Sequence, residues 1–85
     1  MSLNKEELTN KIIYRASYRG TKEMDILMLN FTRFIINKLD FDHLIALNKL
    51  VNMNDEDLIL IKKKESTIEL KDIFLKNIVS EFQKF

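Results

Sequence analysis

The stretch YRASYRGTKEMDILMLNFTRFIINKL, residues 14–39, holds the one glycine of the chain, both tyrosines and all three arginines. Its second half decides the fold class. Met24, Leu27, Met28, Phe31, Phe34, Ile35 and Leu39 recur at the i, i+3, i+4, i+7 spacing of one helical face. Ile26, Leu29 and Ile36 add a second apolar stripe, so the segment reads as a helix buried on more than one side and as the central element. Its first half reads as the end of an earlier helix followed by a corner. Gly20 falls where a helix commonly closes with a left-handed residue, a conformation that costs glycine nothing. Arg19 favours the negative end of the first helix dipole, Thr21 can cap the second helix, and Glu23 and Asp25 suit its positive first turn.

Helical spacing continues on both sides. Leu8, Ile12, Ile13 and Ala16 mark a first helix from about Lys5 to Tyr18. A third, from about Phe41 to Asn52, presents Leu44, Ile45, Leu47, Leu50 and Val51. Asn54 is a good N-cap for a short fourth helix with Asp55, Glu56 and Asp57 in its first turn, and Leu58-Ile59-Leu60-Ile61 reads as the buried turn of that helix. Ser66-x-x-Glu69 has the pattern of a capping box and predicts the start of a last helix carrying Leu70, Ile73, Phe74, Ile78, Val79 and Phe82. The expectation is an all-α chain, a compact single domain over residues 1–85 built as a bundle of about five helices, with no repeat and no linker.

Composition narrows the chemistry. A chain of 85 residues makes one small domain. With no cysteine there is neither a disulfide framework nor a thiolate metal site, and one histidine cannot build a histidine-rich one. Apolar packing must hold the fold, and 46% hydrophobic residues supply the material. Charged residues reach 32% but leave a net charge of only +1, without the basic excess expected of a nucleic-acid binder. The dense basic run Lys62-Lys63-Lys64 is flanked by Asp55, Glu56, Asp57 and Glu65 and reads as a solvated helix end. No apolar run is long enough to cross a bilayer, and the first residues have neither an apolar signal core nor an Arg-rich, acid-poor composition. The expectation is a cytoplasmic protein with no targeting segment and no membrane insertion.

Tyr14 and Tyr18 stand four apart, as do Arg15 and Arg19, so each pair stacks along a helix face. Tyr and Arg are enriched at interface hot spots, and arginine offers a planar fork where the chain otherwise uses eleven lysines. These residues, with Arg19 and Glu23 at the corner, read either as a docking surface or as ordinary helix capping. Catalysis is a weaker reading. Arg19, Glu23 and Asp25 could form an acid–base group, but a lean helical bundle offers little pocket volume. No Ser/His/Asp set is suggested, His43 reads as an exposed residue at a helix start, and one glycine cannot make a phosphate loop.

The corner carries a family resemblance. Arg19-Gly20-Thr21-Lys22-Glu23-Met24-Asp25, after an aromatic and basic helix, resembles the Arg-Gly-x-x-Glu hallmark of the SdhE/YgfY family, the small flavinylation and assembly factors of succinate dehydrogenase. A second stretch, Leu50-Val51-Asn52-Met53-Asn54-Asp55-Glu56-Asp57-Leu58, resembles the family's Leu-Leu-x-x-x-Asp-x-Asp-Leu segment, and the likeness runs from about Asn10 to Val79. One departure is Ile61, where the family often has a tryptophan. The resemblance implies a five-helix fold and a partner, the flavoprotein subunit of succinate dehydrogenase or of the related fumarate reductase. It implies that the chain promotes covalent attachment of FAD to that subunit without performing the chemistry. It further implies no cofactor of the chain's own, no nucleic acid, and a monomer when free. Arg19, Gly20 and Glu23 would make the contact, with Tyr14, Arg15, Tyr18, Lys22 and Asp25 around it. The alternative is a generic helical regulator, binding nucleic acid through Lys62–Lys64 and the first helix.

Overall fold

The computed structural model describes residues 4–17, 22–66 and 69–85. Within them the order is α1 (Lys5–Ser17), α2 (Lys22–Ile35), a 3-10 turn (Ile36–Lys38), α3 (Phe41–Val51), α4 (Asp55–Lys62) and α5 (Ile73–Lys84). Helix starts are set by short polar side chains that take up N–H groups the first turn leaves unpaired. Asn4 Oδ1 accepts from Glu7 N at 2.7 Å ahead of α1. Asp40 Oδ1 accepts from His43 N at 2.8 Å ahead of α3, and Asn54 Oδ1 accepts from Asp57 N at 2.8 Å ahead of α4.

The start of α5 departs from the expected capping box. Ser66 does not open the helix, and Glu69 to Asp72 run outside it. The cap is Asp72, whose Oδ1 accepts from Phe74 N at 2.9 Å and Leu75 N at 3.4 Å. Its other oxygen accepts from Lys49 Nζ on α3 at 3.2 Å. A charged carboxylate that caps one helix and ties it to another outweighs a serine whose box would serve only its own turn. Leu70 still packs on the core, from the connection rather than from a helix.

The end of α4 is shaped without glycine. Lys64 N donates to Ile61 O at 3.0 Å and Glu65 N to Leu60 O at 2.8 Å. That is the paired pattern of a Schellman cap, and it puts Lys64 at φ 62°, in the left-handed region. Lys62 and Gln83 then satisfy each other's helix ends across the α4–α5 seam. Lys62 Nζ donates to Phe82 O at 2.7 Å, and Gln83 Nε2 donates to Ile61 O at 2.9 Å.

The middle of the core belongs to α3 rather than to α2. Leu44, Ala46, Leu47, Leu50 and Val51 are all buried, and α3 packs against α1 on one flank and α5 on the other. Lys49–Asp72 and His43–Asn77 contacts place α3 and α5 antiparallel. The second helix is buried on one side only, through Met24, Met28, Phe31, Thr32 and Ile35. Ile26 and Phe34, read as parts of two apolar stripes, are exposed. Ile45 is likewise exposed on α3. In α4 only Leu58 and Ile61 are buried, because a helix of 8 residues offers the core one face, and Ile59 and Leu60 point away. Phe31 ties α2 to the C-terminal helix, edge-on to Phe82 at 5.1 Å and to Phe85 at 5.5 Å.

Three stability outcomes follow from this layout. Lys64→Gly relieves the left-handed strain and raises unfolding free energy by about 0.5–1 kcal/mol. Thr32 Oγ1 is buried with no hydrogen-bond partner among the described residues, so Thr32→Val raises it by about 1 kcal/mol; urea titration reads both. The Lys49 ammonium, together with the capped N–H groups, holds the Asp72 carboxyl below its ordinary value of 3.8. A carboxyl depressed in the folded state stabilises fully above its ordinary value, and the benefit is lost as pH falls through the folded value. Asp72→Ala should therefore lower the urea midpoint at neutral pH. The gap to the parent protein should narrow as pH falls below 3.8 and Asp72 loses its charge.

Candidate functional site

Residues singled out in the sequence gather at the α1–α2 end of the bundle. The two helices pack against each other, which brings the last turn of α1 beside the first turn of α2. Leu8, Ile12 and Ala16 fill the inward face of α1, and a residue two positions from Ile12 and from Ala16 must point the opposite way. Tyr14 does so, with 67% of its surface exposed. Arg15 is exposed beside it. On α2, Glu23 is exposed in the first turn and Asp25 is half-buried. Lys22 is the first residue of α2. Tyr18, Arg19, Gly20 and Thr21 lie outside the described residues, so the helix-capping reading of Gly20 and Thr21 does too. The described part of the site is a corner where an exposed aromatic and an exposed guanidinium on one helix face the same end of the molecule as an exposed carboxylate on the next.

The second sequence segment spans the end of α3, the connection Asn52–Asn54 and the first turn of α4. Its acidic residues complement the positive end of α4, and Leu50, Val51 and Leu58 are fully buried. Ile61 is buried as well, so the position where the family often has tryptophan serves the core here.

The structure also assembles a polar array that sequence spacing did not suggest. His43 is not an exposed residue at a helix start but half-buried. Its Nδ1 lies 2.7 Å from Asp40 Oδ1, and its Nε2 lies 3.3 Å from Asn77 Nδ2 on α5. A carboxylate only accepts, so Nδ1 carries the proton and Nε2 takes the amide N–H of Asn77. The ring also stands edge-on to Phe74 at 5.0 Å. The His43 backbone N–H, then its ring, hold the Asp40 carboxyl below its ordinary value of 3.8. The array acts as a clamp between the α3 start and α5. The visible signal was Asp40-x-x-His43, a cap and its third residue; the partner Asn77 is 34 residues away and has no local trace.

This array floors an open groove of about 650 Å³ between the end of α2 and α5, with Phe34, Lys38, Leu39, Ile78 and Lys84 among its walls. Among the described residues no group of three or more His, Cys, Asp or Glu side chains can hold a metal ion. Nor is any described helix long and apolar enough to cross a membrane. Within the basic run, the ammonium of Lys62 is committed to the Phe82 carbonyl, which leaves Lys63 and Lys64 exposed at the end of a short helix rather than a basic stripe.

Set against known proteins, the chain matches the family model described as Sdh5, flavinator of succinate dehydrogenase, over residues 10–85. No curated protein and no solved structure matches it. The matched span takes in the end of α1 with Tyr14 and Arg15, the corner sequence Arg19-Gly20-x-x-Glu23, the acidic start of α4 and all of α5. On that span the chain belongs to the Sdh5 family, the flavinators of succinate dehydrogenase that the corner sequence resembles.

Proposed function

We propose that this chain binds the flavoprotein subunit of succinate dehydrogenase through the α1–α2 corner and holds it in the state in which FAD becomes covalently attached. The observation that carries the reading is the family match across residues 10–85, with Arg19-Gly20-x-x-Glu23 inside it. Arg19 and Glu23 make charge-assisted hydrogen bonds to the partner near its flavin, and Gly20 lets the backbone approach closely. Tyr14, Arg15, Tyr18, Lys22 and Asp25 surround that contact. Exposure of Tyr14, Arg15 and Glu23 at one end of the bundle supports this assignment.

The chain contributes no catalytic group and holds no cofactor of its own; it acts on the FAD of its partner. Attachment then proceeds within the flavoprotein, and the factor helps only by as much as it binds the competent state better than the others. It works in the cytoplasm as a free monomer, and the flavoprotein of fumarate reductase, with its related flavin site, is a second client.

Co-expression with the flavoprotein subunit, in cells lacking a factor of their own, tests the reading. Covalent flavin is read as fluorescence of that subunit on a denaturing gel. The wild-type chain should raise the signal well above empty vector, and Gly20→Arg should abolish the gain by steric bulk. Glu23→Ala should weaken binding about tenfold or more, the worth of a hydrogen bond to a charged group. Equal signals from wild type, variants and empty vector would sink the proposal.

A further inference from the structure

The outer face of α2 runs from the corner to the groove. Glu23, Ile26, Asn30, Arg33 and Phe34 are all exposed, and at 100° per residue they fall within an arc of about 100°. Two of them are large and apolar: Ile26 is 54% exposed and Phe34 50%. Single exposed apolar residues are common and mean little. These two differ because they share a face with Glu23 and because the face leads somewhere. Phe34 packs against Phe85 at 5.3 Å, itself 44% exposed, and forms a wall of the groove floored by His43. Lys38 lies over the Phe34 ring at 4.0 Å, and Lys84 lines the same groove together with Asp40 and Glu81. Among the described residues neither lysine forms an ion pair.

The size of a stable interface supplies the second argument. A specific contact buries about 800 Å² per partner and engages roughly 20–30 residues a side. The corner from Tyr14 to Asp25 is too short to furnish that alone. The exposed face of α2 is the surface continuous with it, and Phe34 lies about 17 Å along the helix from Glu23.

We propose that the docking surface for the flavoprotein subunit continues from the corner along the outer face of α2 and ends in the α2–α5 groove. The occupant is a segment of that subunit with apolar side chains against Ile26 and the Phe34–Phe85 pair. This rests on the reading that the chain binds that subunit at all. Ile26 and the aromatic pair supply apolar anchors, the part of an interface that carries most of its energy.

The test is titration of the flavoprotein subunit with wild type, Ile26→Glu, Phe34→Glu and Ile59→Glu. Ile59 is an exposed apolar residue on α4, off the proposed surface. Thermal melts check that each variant stays folded, and sedimentation measures self-association. Ile26→Glu and Phe34→Glu should each weaken binding at least about tenfold, while Ile59→Glu binds as wild type. Wild-type affinity in both α2 variants overturns the extended surface while leaving the corner reading intact. So does self-association of the wild type that these variants abolish without touching partner binding, since a second copy would then be the occupant. Failure of the wild type itself to bind defeats the corner reading, and the extension with it.

Discussion

Everything in this bundle depends on α3 being covered on two flanks, by α1 and by α5. Leu44, Leu47, Leu50 and Val51 are fully excluded from solvent and Ala46 nearly so. With no disulfide available, that burial is the main source of stability. The α3–α5 flank is also pinned by polar groups, Lys49 on Asp72 and His43 on Asn77. Asp72 has two roles there: the carboxylate that starts α5 also chooses its neighbour. Asp40 does the same at the start of α3 through the His43 ring. Element boundaries and tertiary contacts are thus set by the same side chains, a consistency between levels that marks a sequence specifying one structure.

Because α3 takes α1 and α5 as neighbours, α2 is left on the outside. It reaches the core through one face, with Phe31 set between α2 and the rings of Phe82 and Phe85. Among the described residues nothing covers its opposite face. Glu23, in the first turn of α2, therefore lies on the α1–α2 side of the bundle and not on the α3–α5 seam. Substitutions on that exposed surface can alter recognition while leaving the buried α3 flanks untouched, and this separation of duties makes binding variants interpretable.

The five helices of the described residues were legible, α4 from its Asn54 cap and the others from apolar spacing, because that spacing reflects burial on at least one side. Spacing could not tell how many sides are buried. Ile26, Phe34, Ile45, Ile59 and Leu60 are as apolar as their buried neighbours, and only the arrangement of other helices decides which of them meets solvent. The start of α5 was misread for a related reason. Ser66-x-x-Glu69 is a complete local pattern, whereas the advantage of Asp72 comes partly from Lys49, 23 residues earlier. For the site, the corner was visible as a cluster of rare residue types. The groove was not, since Phe34, His43 and Lys84 meet there only through folding.

On the proposed reading, the chain promotes a reaction in its partner by selective binding. A helper that prefers one conformer of its partner raises that conformer's population by the difference in its affinities, and each factor of ten requires about 1.4 kcal/mol. One charge-assisted hydrogen bond made only in the competent state supplies that much. On the proposed reading the buried seam keeps the shape, and the exposed residues Tyr14, Arg15 and Glu23 help to select the partner's state.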